Sequence, residues 1–302
     1  MKREIIGVKR LGIGGLVLLA ALVVAALAVA RLGAAAPDPA AVIAEADKLN
    51  TAEKYEESNK LLMDLVKTNP NHPDIYWKIA ENYYDLGELI PIAQKDKKLA
   101  MYKNCEQWAK KGYDKNPSLA DNAFWMAVGL SQQAQTNGIA VTLISDRGLA
   151  KRIEDYYLKS SQAKEFHYVD VNSNTISSSF MALGVFYRKL PESSIVGLIL
   201  GTRGDMDKSV DYNRKAVKMF PNSTEFNKEL GVSLLCRGQR RSQNADLEEG
   251  KKILKKVPTL TPTSQLDKID QDDSKKLLAD PSLACGYSRV QQEVVSEKAF
   301  SK

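Results

Sequence analysis

Two short stretches of this 302-residue chain hold residue types and spacings that could do chemistry. Gly201 to Ser209 reads GTRGDMDKS, glycines followed by a lysine and a hydroxyl. A phosphate-cradling loop needs glycine directly before that lysine, so that the backbone can wrap the phosphates. Here Asp207 precedes Lys208, and a carboxylate repels phosphate, so nucleotide binding is not expected. Asp270, Asp272 and Asp273 have the opening spacing of a calcium loop, but no glycine follows at the sharp turn and no glutamate closes it. They are expected on a solvated helix face. His72 and His167, the only histidines, both fall in turns, with no nucleophile or ligand set near them in sequence. No catalytic residue, metal or cofactor is therefore expected, and the chain does not read as an enzyme.

The three cysteines are the remaining reactive groups. Cys105 falls where a second helix needs a small residue, and Cys236 ends a first helix. Both read as core thiols that behave as small hydrophobes. Cys285 lies in the C-terminal tail and is the one expected to be accessible. An odd count forbids a complete intrachain disulfide set, so cysteine usage gives no support for an oxidising compartment.

Charge narrows the partners. The net charge is +6, but residues 1–36 hold Lys2, Arg3, Lys9, Arg10 and Arg31 against Glu4. The rest of the chain has 38 basic and 36 acidic side chains, and no basic stripe interleaved with aromatics. A nucleic-acid partner is not expected. Hydrophobic residues at 44% are enough for a full core, which excludes a mostly disordered chain.

These groups need elements to carry them, and the first element is apolar. Leu11 to Ala30 has no charge, and as a helix rising ~1.5 Å per residue it spans ~30 Å, the thickness of a bilayer core. Basic residues precede it and only Arg31 follows, which places residues 1–10 in the cytoplasm and the bulk of the chain across the membrane, periplasmic in a bacterium. A cleaved signal peptide is the alternative, with small-x-small sites at Ala28/Ala30 and Ala34/Ala36. A linker covers 31–41.

From 42 to 258 the sequence reads as a tetratricopeptide-repeat (TPR) solenoid of helical hairpins. Phe180, Leu183, Gly184 and Tyr187 have the spacing of a TPR first helix. Trp77, Ala80 and Tyr84 repeat it with Glu81 in the glycine position. Trp125, Val128 and Gly129 repeat it in part, and Leu230, Gly231 and Leu234 more weakly. Pro70, Pro117 and Pro221 close second helices. The glycine lets paired helices approach, and the large residues fill the gap between pairs that cannot bury their own apolar faces. The repeats run over about 39–70, 74–117, 122–171, 177–221 and 224–258. Residues 259–302 supply a capping helix, Gln265 to Ala279, and a tail. The fold class is all-α.

Three repeats exceed the ~34 residues of a standard TPR. The excess is expected at the turn between first and second helix, where apolar segments occur: Ile90-Pro91-Ile92, Ile139 to Ile144, and Ile195 to Leu200. Equivalent turns line one edge of a solenoid, so Ile90, Ile92, Val141, Leu143, Ile195 and Leu198 are expected to gather there. Such an edge either folds back to extend the core or fill the groove, or serves as an oligomer contact, a membrane-facing edge or an apolar ligand cavity.

The concave groove is the usual binding surface of such an array. By register its lining is Lys78, Asn82, Asp85, Met126, Leu130, Gln133, Met181, Val185, Arg188 and Lys228. Its middle reads as apolar, through Met126, Leu130, Met181, Val185, Val232 and Leu235, which suits an adaptable apolar helix or acyl-like ligand.

Residues Phe180 to Ser233 are similar to the regulator-of-microtubule-dynamics (RMD) type of TPR protein, which also carries an inserted helix between the two helices of a repeat. The same segment, with the ending LLADPSLACGYSR, resembles TatT, the T-component of TRAP transporters. The RMD resemblance implies membrane-tethered scaffolding, with lipid handling in some members. The TatT resemblance implies a periplasmic oligomer that presents a solute to a partner. The expected function is a non-enzymatic, membrane-tethered scaffold that binds a protein partner through its groove. The alternative is a TatT-like accessory of solute or lipid transport, an oligomer with an apolar small molecule in its cavity.

Overall fold

The computed structural model describes residues 38–300. The expected membrane helix at 11–30, the segment 1–10 and most of the 31–41 linker lie outside them. Among the described residues no helix is long and apolar enough to cross a membrane. The chain divides at Val42, and the unit from Ile43 onward carries everything that follows.

That unit is all-helical. Its elements are α1 (Pro39–Thr51, which begins before the division), α2 (Tyr55–Thr68), α3 (Ile75–Leu89), α4 (Lys95–Lys115), α5 (Ala120–Asn137), α6 (Ile139–Ser145), α7 (Leu149–Ser161) and α8 (Thr175–Lys189). They continue as α9 (Ser194–Leu200), α10 (Met206–Met219), α11 (Thr224–Arg241), α12 (Asn244–Lys256) and α13 (Gln265–Ala279). Local chemistry starts several of them. The Asn174 side chain accepts from the Ser177 backbone N–H while Ser177 Oγ accepts from the Asn174 N–H, a capping box at α8. Asp205 and Ser223 cap α10 and α11 through side-chain oxygens.

Helices pair as α3/α4, α5/α7, α8/α10 and α11/α12, and the first helices α3, α5, α8 and α11 touch one another in sequence. This stacked-hairpin arrangement is TPR-like. Gly184 lies against its pair partner α10, where an added Cβ would stand 2.3 Å from Asn213 Nδ2. Gly129 differs: it lies against α4, the second helix of the preceding pair, with Glu106 backbone nitrogen 2.7 Å from an added Cβ. The motif residue is the same, but the helix it admits is not.

The inserted segments sit between first and second helices. Two are short amphipathic helices: Ile139 and Leu143 of α6, and Val196 and Leu200 of α9, are buried, while Val141, Ile144, Ile195 and Leu198 are exposed, Leu198 at 87%. The third forms no α-helix. Ile90 is half-buried, Ile92 is exposed, and the turn is closed by buried Lys98, whose ammonium donates to the carbonyls of Gly87 at 2.6 Å and Ile90 at 3.0 Å.

The tail does not trail away. It is joined to α11 by a disulfide between Cys236 and Cys285, leaving Cys105 as the free, buried thiol among the described residues. The expectation of an accessible Cys285 and of a free core thiol at Cys236 is thus corrected: α11 and the turn Pro281–Gly286 pack together, which a count of cysteines cannot reveal. From Tyr287 the chain runs back along the concave side. Lys189 donates to the carbonyls of Gly286 at 2.7 Å and Glu293 at 3.1 Å, and Gln291 donates to the Gln135 carbonyl at 2.6 Å. The Glu293 carboxylate accepts from the backbone N–H groups of Ile139 and Ala140. Val295 and Phe300 end in the main core, beside α6 and α9.

Candidate functional site

A cavity of about 710 Å³ lies on the concave side, a size suited to a small molecule or part of a peptide. Helix α3 presents Lys78, Glu81, Tyr84, Asp85 and Glu88 to it, and α5 presents Trp125, Val128, Gln132 and Gln135. Met181, Val185 and Arg188 come from α8, and Glu225, Lys228 and Glu229 from α11. The loop Tyr168–Ser173 and tail residues Ser288–Val290 complete the wall.

One end of this cavity is a network of ion pairs. Arg289 on the tail binds Asp270 through Nε at 2.8 Å and through a second nitrogen at 2.6 Å, meets Glu225 at 2.7 Å, and lies 3.5 Å from Glu88. Lys228 bonds to Asp270 at 2.6 Å and Glu229 at 3.1 Å, and Arg188 bonds to Glu229 at 2.8 Å. Burial disfavours the Asp270 and Glu229 carboxylates, but Arg289 and Lys228 hold Asp270, and Lys228 and Arg188 hold Glu229, below the ordinary range. Burial, helped by Arg188, lowers the Lys189 ammonium to about 7.

The other end is acidic and incompletely paired. Lys78 holds Asp47 at 2.6 Å and lies 4.4 Å over the Trp77 ring. Among the described residues Glu81 has no hydrogen bond or ion pair, and Asp85 has only the Asn50 amide bonded to it. Burial raises Glu81 to about 8, with Asp47, Asp121 and Asp170 adding to the effect and Lys78 opposing it. Burial, then Glu81 and Glu88, pushes Asp85 well above the carboxylate range. The pairs Trp77–Tyr168 and Tyr84–Trp125, with centroids 6.1 and 5.4 Å apart, form aromatic walls.

Of the residues that the sequence placed in the groove, Lys78, Asp85, Met181, Val185, Arg188 and Lys228 line the cavity. Asn82 does not: it donates to Ser58 Oγ and Asn59 Oδ1, both at 2.9 Å, and joins α3 to α2. Met126 is core, Leu130 packs on that core, and Gln133 donates to Glu106 on α4 at 2.6 Å. Because Gly129 admits α4, its neighbours one turn either way face α4 too, and the α5 groove face shifts to Trp125, Val128 and Gln132. Val232 and Leu235 are fully buried in a second cluster. Leu143 borders the cavity; Ile90, Ile92, Val141, Ile195 and Leu198 do not.

Sequence reasoning missed Glu81, Glu88, Glu225, Asp270 and Arg289. Asp270 is buried at 0% exposure, not on a solvated face, because the tail and α11 close over α13. Glu81 carried a signal: a carboxylate in the motif position of a glycine.

Stacked hairpins with touching first helices and a concave cavity define a TPR-type helical protein. The family model of regulator of microtubule dynamics protein 1-3 matches residues 42–147, and the chain resembles that group. Two solved structures are similar in part. "Crystal structure of MamA protein" shares 13% identity at a TM-score of 0.42, over 74% of this chain and 97% of that one. "Crystal structure of MamA" shares 13% at 0.41, over 70% and 95%. No curated protein matches the chain in sequence.

Proposed function

We propose that the protein is a non-catalytic scaffold, tethered to a membrane by residues 11–30, that binds a segment of a protein partner on its concave side. One observation carries this reading. The groove already holds a loop of the chain's own tail, Gly286 to Glu293, closed by the Glu293 N–H on the Gly286 carbonyl, through side-chain bonds to its carbonyls from Arg188 and Lys189 and through Arg289 in an acidic pocket. A surface that grips main-chain carbonyls and one basic side chain is built for peptide recognition. The Cys236–Cys285 disulfide supports an extracytoplasmic location for this unit.

The transport-accessory alternative has a cavity in its favour, but an apolar ligand fits the wall poorly. Glu81, Asp85 and Glu88 line it, and covering carboxylates with apolar surface is costly. The exposed faces of α6 and α9 remain available for a membrane-facing or self-association role.

The test is a photo-crosslinking side chain placed at Met181 in the full chain in its own cells, with Lys255 as the exposed control. One protein captured from Met181 and not from Lys255 supports the reading. Capture of nothing, or of the chain's own tail alone, counts against it.

A further inference from the structure

Helices α6 and α9 are apolar on both faces. Neither Ile139–Ser145 nor Ser194–Leu200 contains a charged residue. Ile139 and Leu143 of one and Val196 and Leu200 of the other are buried, which leaves Val141, Ile144, Ile195 and Leu198 in solvent. A helix that packs on a core by one face ordinarily turns polar residues to water on the other. The two insertions belong to different repeats and differ in sequence, yet each departs from that rule in the same way.

The structure sets the two helices beside each other. The turn Glu297–Phe300 touches both, and Val295 and Phe300 share one core with their inner faces. The end of α9 meets the start of α7, the helix that follows α6: a Cβ added at Gly201 would stand 3.6 Å from Lys151 Cβ. Exposed apolar side chains gathered on neighbouring elements mark an interaction surface, where the same residues scattered singly would not.

Charge decides what covers this surface. Each helix is followed at once by an arginine, Arg147 after α6 and Arg203 after α9. Both are exposed, and among the described residues neither forms an ion pair. The acids next to them in the chain are engaged elsewhere, Asp146 with Arg152 at 2.6 Å and Asp205 with the N–H groups of Asp207 and Lys208. The Arg203 stem lies against α9, its Cδ 3.4 Å from where a Cβ would stand at Gly197, and its guanidinium donates to Ser194 Oγ at 2.9 Å. Apolar side chains rimmed by unpaired guanidinium groups suit an anionic bilayer: the former sink below the headgroups and the latter meet the phosphates. Eight residues separate Ala30 from Pro39, and fully extended, at ~3.5 Å each, they reach ~30 Å, so a bilayer spanned by residues 11–30 is always close at hand.

From this arrangement we infer that the outer faces of α6 and α9 form a contact with an anionic lipid surface, in which Val141, Ile144, Ile195 and Leu198 enter the bilayer and Arg147 and Arg203 bind lipid phosphates. A second copy of the chain fits less well, because two-fold pairing of this face brings like arginines together. The inference rests on the tether of the scaffold reading and deepens it: the repeat array lies on the membrane that holds it.

The experiment uses the full chain in vesicles of phosphatidylcholine with phosphatidylglycerol, and in phosphatidylcholine alone. An environment-sensitive fluorophore is attached at Leu198→Cys or Val141→Cys, with Lys255→Cys as the exposed control. Cys105 is buried and Cys236 and Cys285 are bonded to each other, so the new thiol takes the label. Lipids with a nitroxide on the acyl chain quench a label that enters the bilayer. In the anionic vesicles, quenching at Leu198 and Val141 should exceed that at Lys255 at least twofold. It should fall by about half or more with Arg147→Gln and Arg203→Gln together, in phosphatidylcholine alone, or at raised salt. Circular dichroism checks that each variant is folded. Quenching no greater than at Lys255, or undiminished by the arginine substitutions, overturns the proposal. So does a blue-shifted label without quenching, which shows that protein and not lipid covers the face. Alkaline washing of the same vesicles reads the tether separately. A chain that stays but is not quenched keeps the tether and loses the contact; a chain quenched before washing and removed by it keeps the contact and loses the tether.

Discussion

The two ends of the cavity treat their ionisable groups oppositely. At the tail end, Asp270, Glu229, Glu225, Arg188, Lys228 and Arg289 are joined by ion pairs of 2.6 to 3.1 Å. At the α3 end, Glu81 and Asp85 form no ion pair among the described residues, although Lys78 and Arg289 act on them from a distance. A buried charge is costly unless paired, so the network is structural, while the unpaired carboxyls at the α3 end avoid the cost by keeping their protons. The tail end fastens the C-terminal segment.

The largest effect should come from breaking the network. Asp270→Ala strands Arg289 and Lys228 in the interior, and a loss of about 3–5 kcal/mol in chemical denaturation is expected. If the loss is well below 1 kcal/mol, the tail end is no more structural than the α3 end, and the contrast fails. Cys285→Ser comes next, with a loss of roughly 2–4 kcal/mol. Hydrogen exchange should quicken at 287–296, the segment the disulfide anchors, and leave α3 unchanged.

Glu81→Gln should act in the opposite direction. Below about pH 4.5, its ordinary value, the side chain is protonated whether the protein is folded or not, and it has no cost. Between 4.5 and about 8 the folded protein keeps a proton that the unfolded chain releases, so stability falls as pH rises. The variant should remove that slope and stabilise the apo protein by roughly 1–2 kcal/mol near pH 8, read from melting curves across pH. A slope that persists in the variant assigns the titration elsewhere. The smallest effect belongs to Asp272→Asn, whose partner Lys275 is about as exposed as itself: no measurable change in melting is expected.

Periodicity and the spacing of Phe180, Leu183, Gly184 and Tyr187 were enough to read a helical-hairpin array. Those signals are local: a 3.6-residue period, side-chain caps and a small residue at a helix crossing act within a few turns of chain. The groove lining was half legible. Lys78, Asp85, Met181 and Val185 follow from a repeat register, whereas Met126, Leu130 and Gln133 do not line the cavity, because Gly129 seats α5 against α4 and turns its outer face by one residue. A register can name a helix face but not which neighbour fills it.

By its residues alone, the chain determined that it would be helical, repeated, and preceded by an apolar segment long enough to span a bilayer. Tertiary structure decided where the tail goes, that Cys236 meets Cys285, and which carboxylates find a cation. The physical reason is range. Helix propensity and amphipathicity are short-range properties of sequence, but an ion pair between Arg289 and Asp270, or its absence at Glu81, depends on elements far apart in the chain arriving at one place.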